Sequence, residues 1–355
     1  MLGIDPKAAR TAWTVFLMAL LICLTYAVRH TLLIFSLALF FAYMLSPVVN
    51  TIERLLPSRL SRNFTLALVY MLFIGVIAAI AFGIGSAIVE QATALAARLP
   101  DLLRSRDPLE AIWLPGWLAP LRSRIGEAIR SQVDSLDKDA LPLIRAAITQ
   151  VLARAGSILE FVLVPVLGFF FLKDGAKIRE TVIDWTTRGQ TSIMLEQILS
   201  DVHILLGHYI RALVILSTAT FVVYTLFLQF TGGQYAALLG VVAAVLEFIP
   251  VVGPVSASLI IVIVEGVSGY PHMLAAIIFL VCYRFFQDYV LSPYLMGSGV
   301  ELHPLLVLFG VLAGQQIAGI SGMFFSVPVL AGLRIVYVHS HRSRVRNIEQ
   351  AAREP

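Results

Sequence analysis

Residues 235–267 read YAALLGVVAAVLEFIPVVGPVSASLIIVIVEGV. Residues 235–249 have the make-up of an apolar helix and 255–267 resume it, but Pro250-Val251-Val252-Gly253-Pro254 stands between them. Two prolines and a glycine so close together break a helix, because proline has no N–H to donate and its ring collides with the preceding turn. A helix of about fifteen residues rises about 22 Å, short of the ~30 Å hydrocarbon core of a bilayer. The stretch therefore predicts two short apolar helices joined at a break. Peptide groups released from a helix in oil must be met by protein, water or a ligand.

Toward the C-terminus, 305–338 repeats this design. Residues 305–317 are apolar, Gly319-Ile320-Ser321-Gly322 interrupts them, and a second helix runs to Val338. An offset of 68 residues sets Glu247 opposite Gln315, Ile249 opposite Ile317, and Leu238-Leu239 opposite Leu306-Val307. Short arms favour re-entrant hairpins with 271–291 as an ordinary span between them. Four full crossings would leave the chain end on the same side, so parity keeps both arrangements open. Broken helices aim positive N-terminal ends at the bilayer midplane, here near Val255-Ser256 and Ser321-Gly322, where they can hold polar or anionic groups. Paired interruptions point to a transporter's binding site; the alternative is that Pro and Gly merely kink packed helices.

The rest of the chain fits a membrane. Of 355 residues, 59% are hydrophobic and 14% charged, with a mean hydropathy of +0.87. Lipid can cover that much apolar surface and water cannot. Further apolar runs occupy 12–28, 31–49, 64–89, 156–172, 209–230 and 273–283 with its extension to 291. Lys7 and Arg10 before the first run raise the question of a cleaved signal peptide; the next run begins so soon, at Thr31, that 12–28 reads as a retained helix. Cys23 and Cys282 lie inside apolar runs and suggest neither a disulfide nor a metal site.

Basic residues gather on the cytoplasmic side of membrane proteins. Lys7 and Arg10, then Arg54, Arg59 and Arg62, then Lys173, Lys177, Arg179 and Arg188, and a tail with Arg334, Arg342, Arg344, Arg346 and Arg353 all read as inside. Segment 90–148, with eight Lys/Arg and eight Asp/Glu, reads as outside. It suggests short amphipathic helices broken by Pro100, Pro108, Pro115, Pro120 and Pro142, with Trp113 and Trp117 suited to the lipid interface or to packing within the loop. Residues 176–208 read as an amphipathic helix leading into the span from Tyr209.

Charges inside apolar segments face a cavity or a partner. Glu247 lies one turn before the first break, as a site residue or as a hydrogen-bond partner for loose backbone. Arg284, Gln287 and Asp288 share a helix face, and Arg284 and Asp288 are spaced for a structural ion pair, with a gate or proton relay as the alternative. Gln315 and Gln316 precede the second break, and His303 before Pro304 reads as a cap rather than a proton carrier. Glu160 and Glu265 read as peripheral. Gly319-Ile320-Ser321-Gly322 matches the GxSG of intramembrane serine proteases, but every histidine lies near a segment end, so no enzyme is expected. Phosphate-loop and zinc-ligand spacings are absent from the sequence.

The runs PVLGFFFLKDG at 165–175, LEFIPVVGP at 246–254, LSPYLMGSGVELHPLLVLFGVLAG at 291–314 and GISGMFFSVPVLAG at 319–332 resemble the AI-2E family, the autoinducer-2 exporter-like permeases. The resemblance covers nearly the whole chain. It implies a multi-spanning bacterial transporter, homo-oligomeric, in a family associated with autoinducer-2 export and in some members with sodium/proton exchange. It carries over Pro250, Gly253, Pro254, Gln287, Pro293, Leu302, His303, Pro304, Gly319, Gly322 and Pro328 as functional or architectural positions. Gln315-Gln316 stands where the family has smaller residues and Ser298 where lysine is frequent, so substrate identity does not carry over.

The expected molecule is an all-α polytopic membrane protein with about six full transmembrane helices, two interrupted hairpins and amphipathic helices outside the bilayer. It divides into a membrane segment 1–89, an external insert 90–148, a transport core 149–338 and a basic cytoplasmic tail 339–355. Expected partners are the bilayer of a bacterial inner membrane, a small polar solute and H⁺ or Na⁺, with no nucleic acid and no cofactor. The candidate solute- or ion-binding residues are Glu247, Pro250, Gly253, Pro254, Ser256, Arg284, Gln287, Asp288, His303, Gln315, Gly319, Ser321 and Gly322. Secondary export by alternating access is the first reading, a sodium/proton antiporter the second, and a scaffold or accessory subunit working through 90–148 the third.

Overall fold

The computed structural model describes residues 6–56, 61–105, 158–185, 190–296 and 302–351. The insert beyond residue 105, with Trp113 and Trp117, and Ser298 lie outside them. Every regular element among the described residues is helical: α1 (Pro6–Ala27), α2 (Arg29–Leu55), α3 (Arg62–Ser105), α4 (Ile158–Asp184), α5 (Gln190–Thr231), α6 (Ala236–Leu246), α7 (Val252–Val267), α8 (Met273–Phe286), a π-helical turn (Gln287–Leu291), α9 (Ser292–Met296) and a last helical stretch, Pro304–Ala351. Among the described residues, six helices are long and apolar enough to cross a bilayer, lying in 10–27, 29–55, 62–98, 192–231, 273–295 and 304–342. The last of these is folded back on itself.

Two helices outrun their apolar stretches. α3 has 44 residues and α5 has 42, lengths of about 66 and 63 Å at 1.5 Å per residue. α3 therefore continues past residue 89 and through Pro100, which does not break it as expected. Ala, Leu, Gln and Arg dominate 91–105 and favour helix, and a single proline removes one donor from the ladder. The amphipathic stretch expected over 176–208 is likewise divided between the end of α4 and the start of α5, the latter continuous with the span from Tyr209.

One packed group joins α2, α3 and α4 around Ala42, Leu45, Val49, Leu66, Val69 and Leu172. Lipid gives apolar helices no reason to associate, so close backbone approach matters instead. Tyr70 Oη donates to Pro165 O at 2.9 Å and Arg62 Nη2 to Leu172 O at 3.0 Å, tying α3 to α4 at two levels. The second group gathers α6, α7 and α8 on α5 around Tyr224, Leu228, Leu239, Ala243, Ile261 and Leu280.

Both interrupted segments are hairpins. In the first, α6 and α7 pack on each other across the break Glu247–Val251, with 11 and 16 residues each. Val251 there has φ 64°, a left-handed conformation rare for a β-branched residue. In the second, Ala318 (φ −140°) and Gly319 (φ 61°) leave helical geometry, dividing it into arms α10 (304–317) and α11 (320–351). A Cβ on Gly322 would stand 1.9 Å from Gly314 O, so the arms cross in backbone contact. Val251 and Gly319, the positive-φ residues at the two breaks, are related by the same 68-residue offset as the sequence match. The first hairpin lies along the C-terminal half of α5, the second along its N-terminal half, and their tips meet between.

Candidate functional site at the hairpin tips

Glu247 ends α6 at the first break and is 8% exposed. Gln287 Nε2 donates to its Oε1 at 2.8 Å and Thr220 Oγ1 to its Oε2 at 3.3 Å. Arg284 Nη1 lies 3.6 Å from Glu247 Oε1, while Arg284 grips Asp288 through Nε at 2.8 Å and Nη2 at 2.6 Å. That buried Nη1 has no hydrogen-bond partner among the described residues. The cluster thus sets one guanidinium between two carboxylates. Glu247 and Gln287 are buried, whereas Arg284 and Asp288 open toward the surface at 33% and 45% side-chain exposure.

The local sequence explains each placement. Helix α8 widens into the π turn at Gln287, where Ser292 N–H bonds to Gln287 O instead of to the residue four back. The wide turn precedes Pro293, whose ring crowds the carbonyl of the turn before it. Single π turns recur at functional sites because they re-aim side chains, and here Gln287 is turned inward, 2% exposed. On α5, Ser217 Oγ donates to Ala244 O at 2.7 Å one turn from Thr220, fixing α6 against α5 just before the break.

The break is closed by its own backbone. Val252 N–H bonds to Pro250 O at 2.7 Å and Gly253 N–H to Ile249 O at 3.0 Å, and Pro254 has no N–H. A Cβ on Gly253 would stand 1.8 Å from Leu246 O, so only glycine permits this fold-back. α7 accordingly begins at Val252, and Ser256 sits a turn beyond the helix start. Its positive end, expected near Val255-Ser256, is occupied by the turn's own carbonyls. His303 Nδ1 accepts from Leu305 N–H at 3.2 Å, the capping role expected of it. Gln315, Gln316 and Gly319 are exposed at the second tip and make no hydrogen bond with the Glu247 cluster, and Ser321 and Gly322 are half-buried beside them.

Other participants carried little sequence signal. Thr220 completes the cluster, yet a hydroxyl in a helix ordinarily bonds its own backbone, as Thr218 does to Val214 O. Phe40, Phe248 and Phe324 form a three-ring contact between α2 and the two tips, with centroids 6.0, 4.8 and 5.9 Å apart. Glu265 is not peripheral: it is fully buried, its Oε1 2.9 Å from where a Gly233 Cβ would stand, beside the start of α6.

The family profile described as AI-2E family transporter matches residues 15–341. The chain belongs to the AI-2E transporter family. It is 26% identical over 350 residues to YueF of Bacillus subtilis (strain 168), covering 92% of each chain. It is 25% identical over 323 residues to YrrI of the same organism, covering 88% of this chain and 87% of that one. YhhT of Escherichia coli (strain K12) shares 28% identity over 133 residues, 36% of this chain and 37% of its own. All three are named as candidate transport proteins. AI-2E membership and the apolar helices make this a multi-pass membrane protein and support a membrane transport role.

Proposed function

We propose that this AI-2E protein is a secondary transporter that exports a small polar solute, autoinducer-2-like in size and polarity, across a bacterial inner membrane by alternating access. The observation that carries the reading is the polar cluster at the first hairpin tip, where a buried guanidinium nitrogen, Arg284 Nη1, lacks a hydrogen-bond partner among the described residues. An unmet buried donor costs about 1–3 kcal/mol, and a polar solute reaching the tip would meet it. Alternating access would part the tips on one side and then the other, with α5 as the fixed rail between the hairpins. On this reading the protein catalyses no bond chemistry, both termini are cytoplasmic as the basic residues indicate, and copies associate in the membrane.

A second reading, sodium/proton exchange, is favoured by charge count. One arginine faces Glu247 and Asp288, so a proton or a monovalent cation would complete neutrality in a setting where unbalanced charge is costly. Purified protein in vesicles loaded with candidate solutes, with and without an imposed proton gradient, tests both. Solute efflux that depends on the protein supports export, and gradient-driven dequenching of a pH dye by sodium alone supports exchange. The absence of both signals, in protein shown to be folded, would overturn the transport reading.

A further inference from the structure

Glu265, near the C-terminal end of α7, is fully buried, and neither of its carboxylate oxygens has a hydrogen-bond partner among the described residues. Its neighbours lie at the root of the first hairpin, where α5 ends and α6 begins. The point where a Gly233 Cβ would stand is 2.9 Å from Glu265 Oε1 and 3.1 Å from Leu228 O, so both oxygens close on the same glycine. Tyr270, just past α7, donates through Oη to Thr231 Oγ1 and lies within electrostatic reach of the carboxylate. The donors here are spent on other oxygens: Thr231 Oγ1 on Phe227 O at 2.6 Å, Gly233 N–H on Leu228 O at 2.7 Å, and Tyr270 N–H on the backbone O of Glu265 at 3.0 Å. The N–H groups of Gln234 and Tyr235 lie beside the carboxylate without completing a hydrogen bond to it. The first turn of α6 is served instead by Gln91 Oε1 of α3, which accepts from Leu238 N–H at 2.9 Å.

We propose that Glu265 and the oxygens of Leu228, Thr231 and Tyr270 bind a monovalent alkali cation at the root of the first hairpin. A buried carboxylate is costly unless it is paired, and the missing partner must come from outside a cluster whose hydroxyls are already committed. Carboxylate, carbonyl and hydroxyl oxygens are the ligands that hard cations take. α5 and α7 both end here, bringing two negative helix ends toward the same point, and one carboxylate balances one positive charge. Because Glu265 belongs to α7 and Leu228 and Thr231 to α5, the bound cation ties the hairpin root to α5. The site lies at the other end of the hairpin from Glu247, and its occupancy is read without flux, so the proposal stands apart from the transport reading.

The test uses the full chain in neutral detergent, with sodium or potassium chloride replacing N-methylglucamine chloride at constant ionic strength and the melting temperature as readout. One of the two cations at least is expected to raise the melting temperature saturably. Glu265→Gln should weaken that response tenfold or more while melting no lower than wild type without the cation, since an amide needs no counter-charge. Glu180→Gln, at an exposed position on α4, should change the response less than twofold. No saturable response in wild type, or equal loss in both variants, overturns the site. A response kept in Glu265→Gln but lost in Glu247→Gln would put the cation at the hairpin tip and likewise overturn it. Should Glu265→Gln misfold, Tyr270→Phe, which removes one oxygen without changing charge, decides: undiminished cation affinity overturns the proposal.

Discussion

Arg284 is the residue on which the tip cluster turns, since it is bonded twice to Asp288 and stands 3.6 Å from Glu247. Removing one carboxylate from a one-cation, two-anion set lowers the charge imbalance instead of raising it. Glu247→Gln is therefore expected to fold with a melting temperature close to wild type, because an amide keeps an acceptor for Gln287. The same variant should lose any dependence of flux on proton or sodium gradients. Glu247→Ala is a different case: it leaves buried Gln287 and Thr220 with only the long 3.4 Å bond from Gln287 Nε2 to Thr220 Oγ1, and the lost acceptor costs about 1–3 kcal/mol. Melting curves of the two variants separate these effects, and a Glu247→Gln protein with intact gradient dependence would remove Glu247 from ion coupling. Of this site, Glu247, Gln287, Arg284 and Asp288 are legible in sequence because charged and amide groups are conspicuous in apolar runs. Thr220 is not, since its alternative of bonding its own helix leaves the same sequence.

Among elements, the hairpins depend on backbone contact at particular glycines, and three alanine substitutions distinguish the causes. Gly322→Ala would drive a methyl group into Gly314 O, 1.9 Å away, and should destabilise by about 1–3 kcal/mol, as overpacking does. Gly319→Ala meets no atom within 4 Å but must hold φ 61°, at a cost of about 1–3 kcal/mol. Gly332→Ala, in open space on α11, should stabilise by up to about 1 kcal/mol through helix propensity. Thermal melts of the three in one detergent check the order, and a neutral Gly322→Ala would mean that the arms do not cross in contact. Break positions are legible because Pro250, Gly253, Pro254 and Gly319 have few other uses in an apolar helix, and the 68-residue offset that aligns the two segments also aligns Val251 with Gly319. Helix ends are not legible in the same way: hydrophobicity stops where lipid stops, but α3 and α5 run on in favourable helix formers. The open positive helix end expected at Val255-Ser256 also fails, because sequence does not reveal that Val252 and Gly253 satisfy their N–H groups within the turn.

For the whole molecule, the consequence of oppositely placed hairpins is that their tips meet in an aromatic contact. Phe248 from the first tip and Phe324 from the second meet with Phe40 of α2 as the third ring. Ring pairs at such separations contribute about 0.5–1.5 kcal/mol beyond their buried area, enough to hold the tips together and weak enough to be broken by the binding energy of a solute. If alternating access operates, these rings are the seal that separates the two sides while the tips are closed. Replacing Phe248 and Phe324 together by alanine opens a void between the tips without touching Glu247, Gln287 or Arg284. Vesicles containing the double variant and loaded with a small neutral dye should leak several-fold faster than vesicles with wild-type protein, in the absence of any gradient. Phe230→Ala, at an 84% exposed position outside the contact, should leak no more than wild type. A double variant that is folded by its melting curve, yet as tight as wild type, would show that solute is excluded elsewhere, and the hairpins would then have to open by parting from α5 rather than from each other.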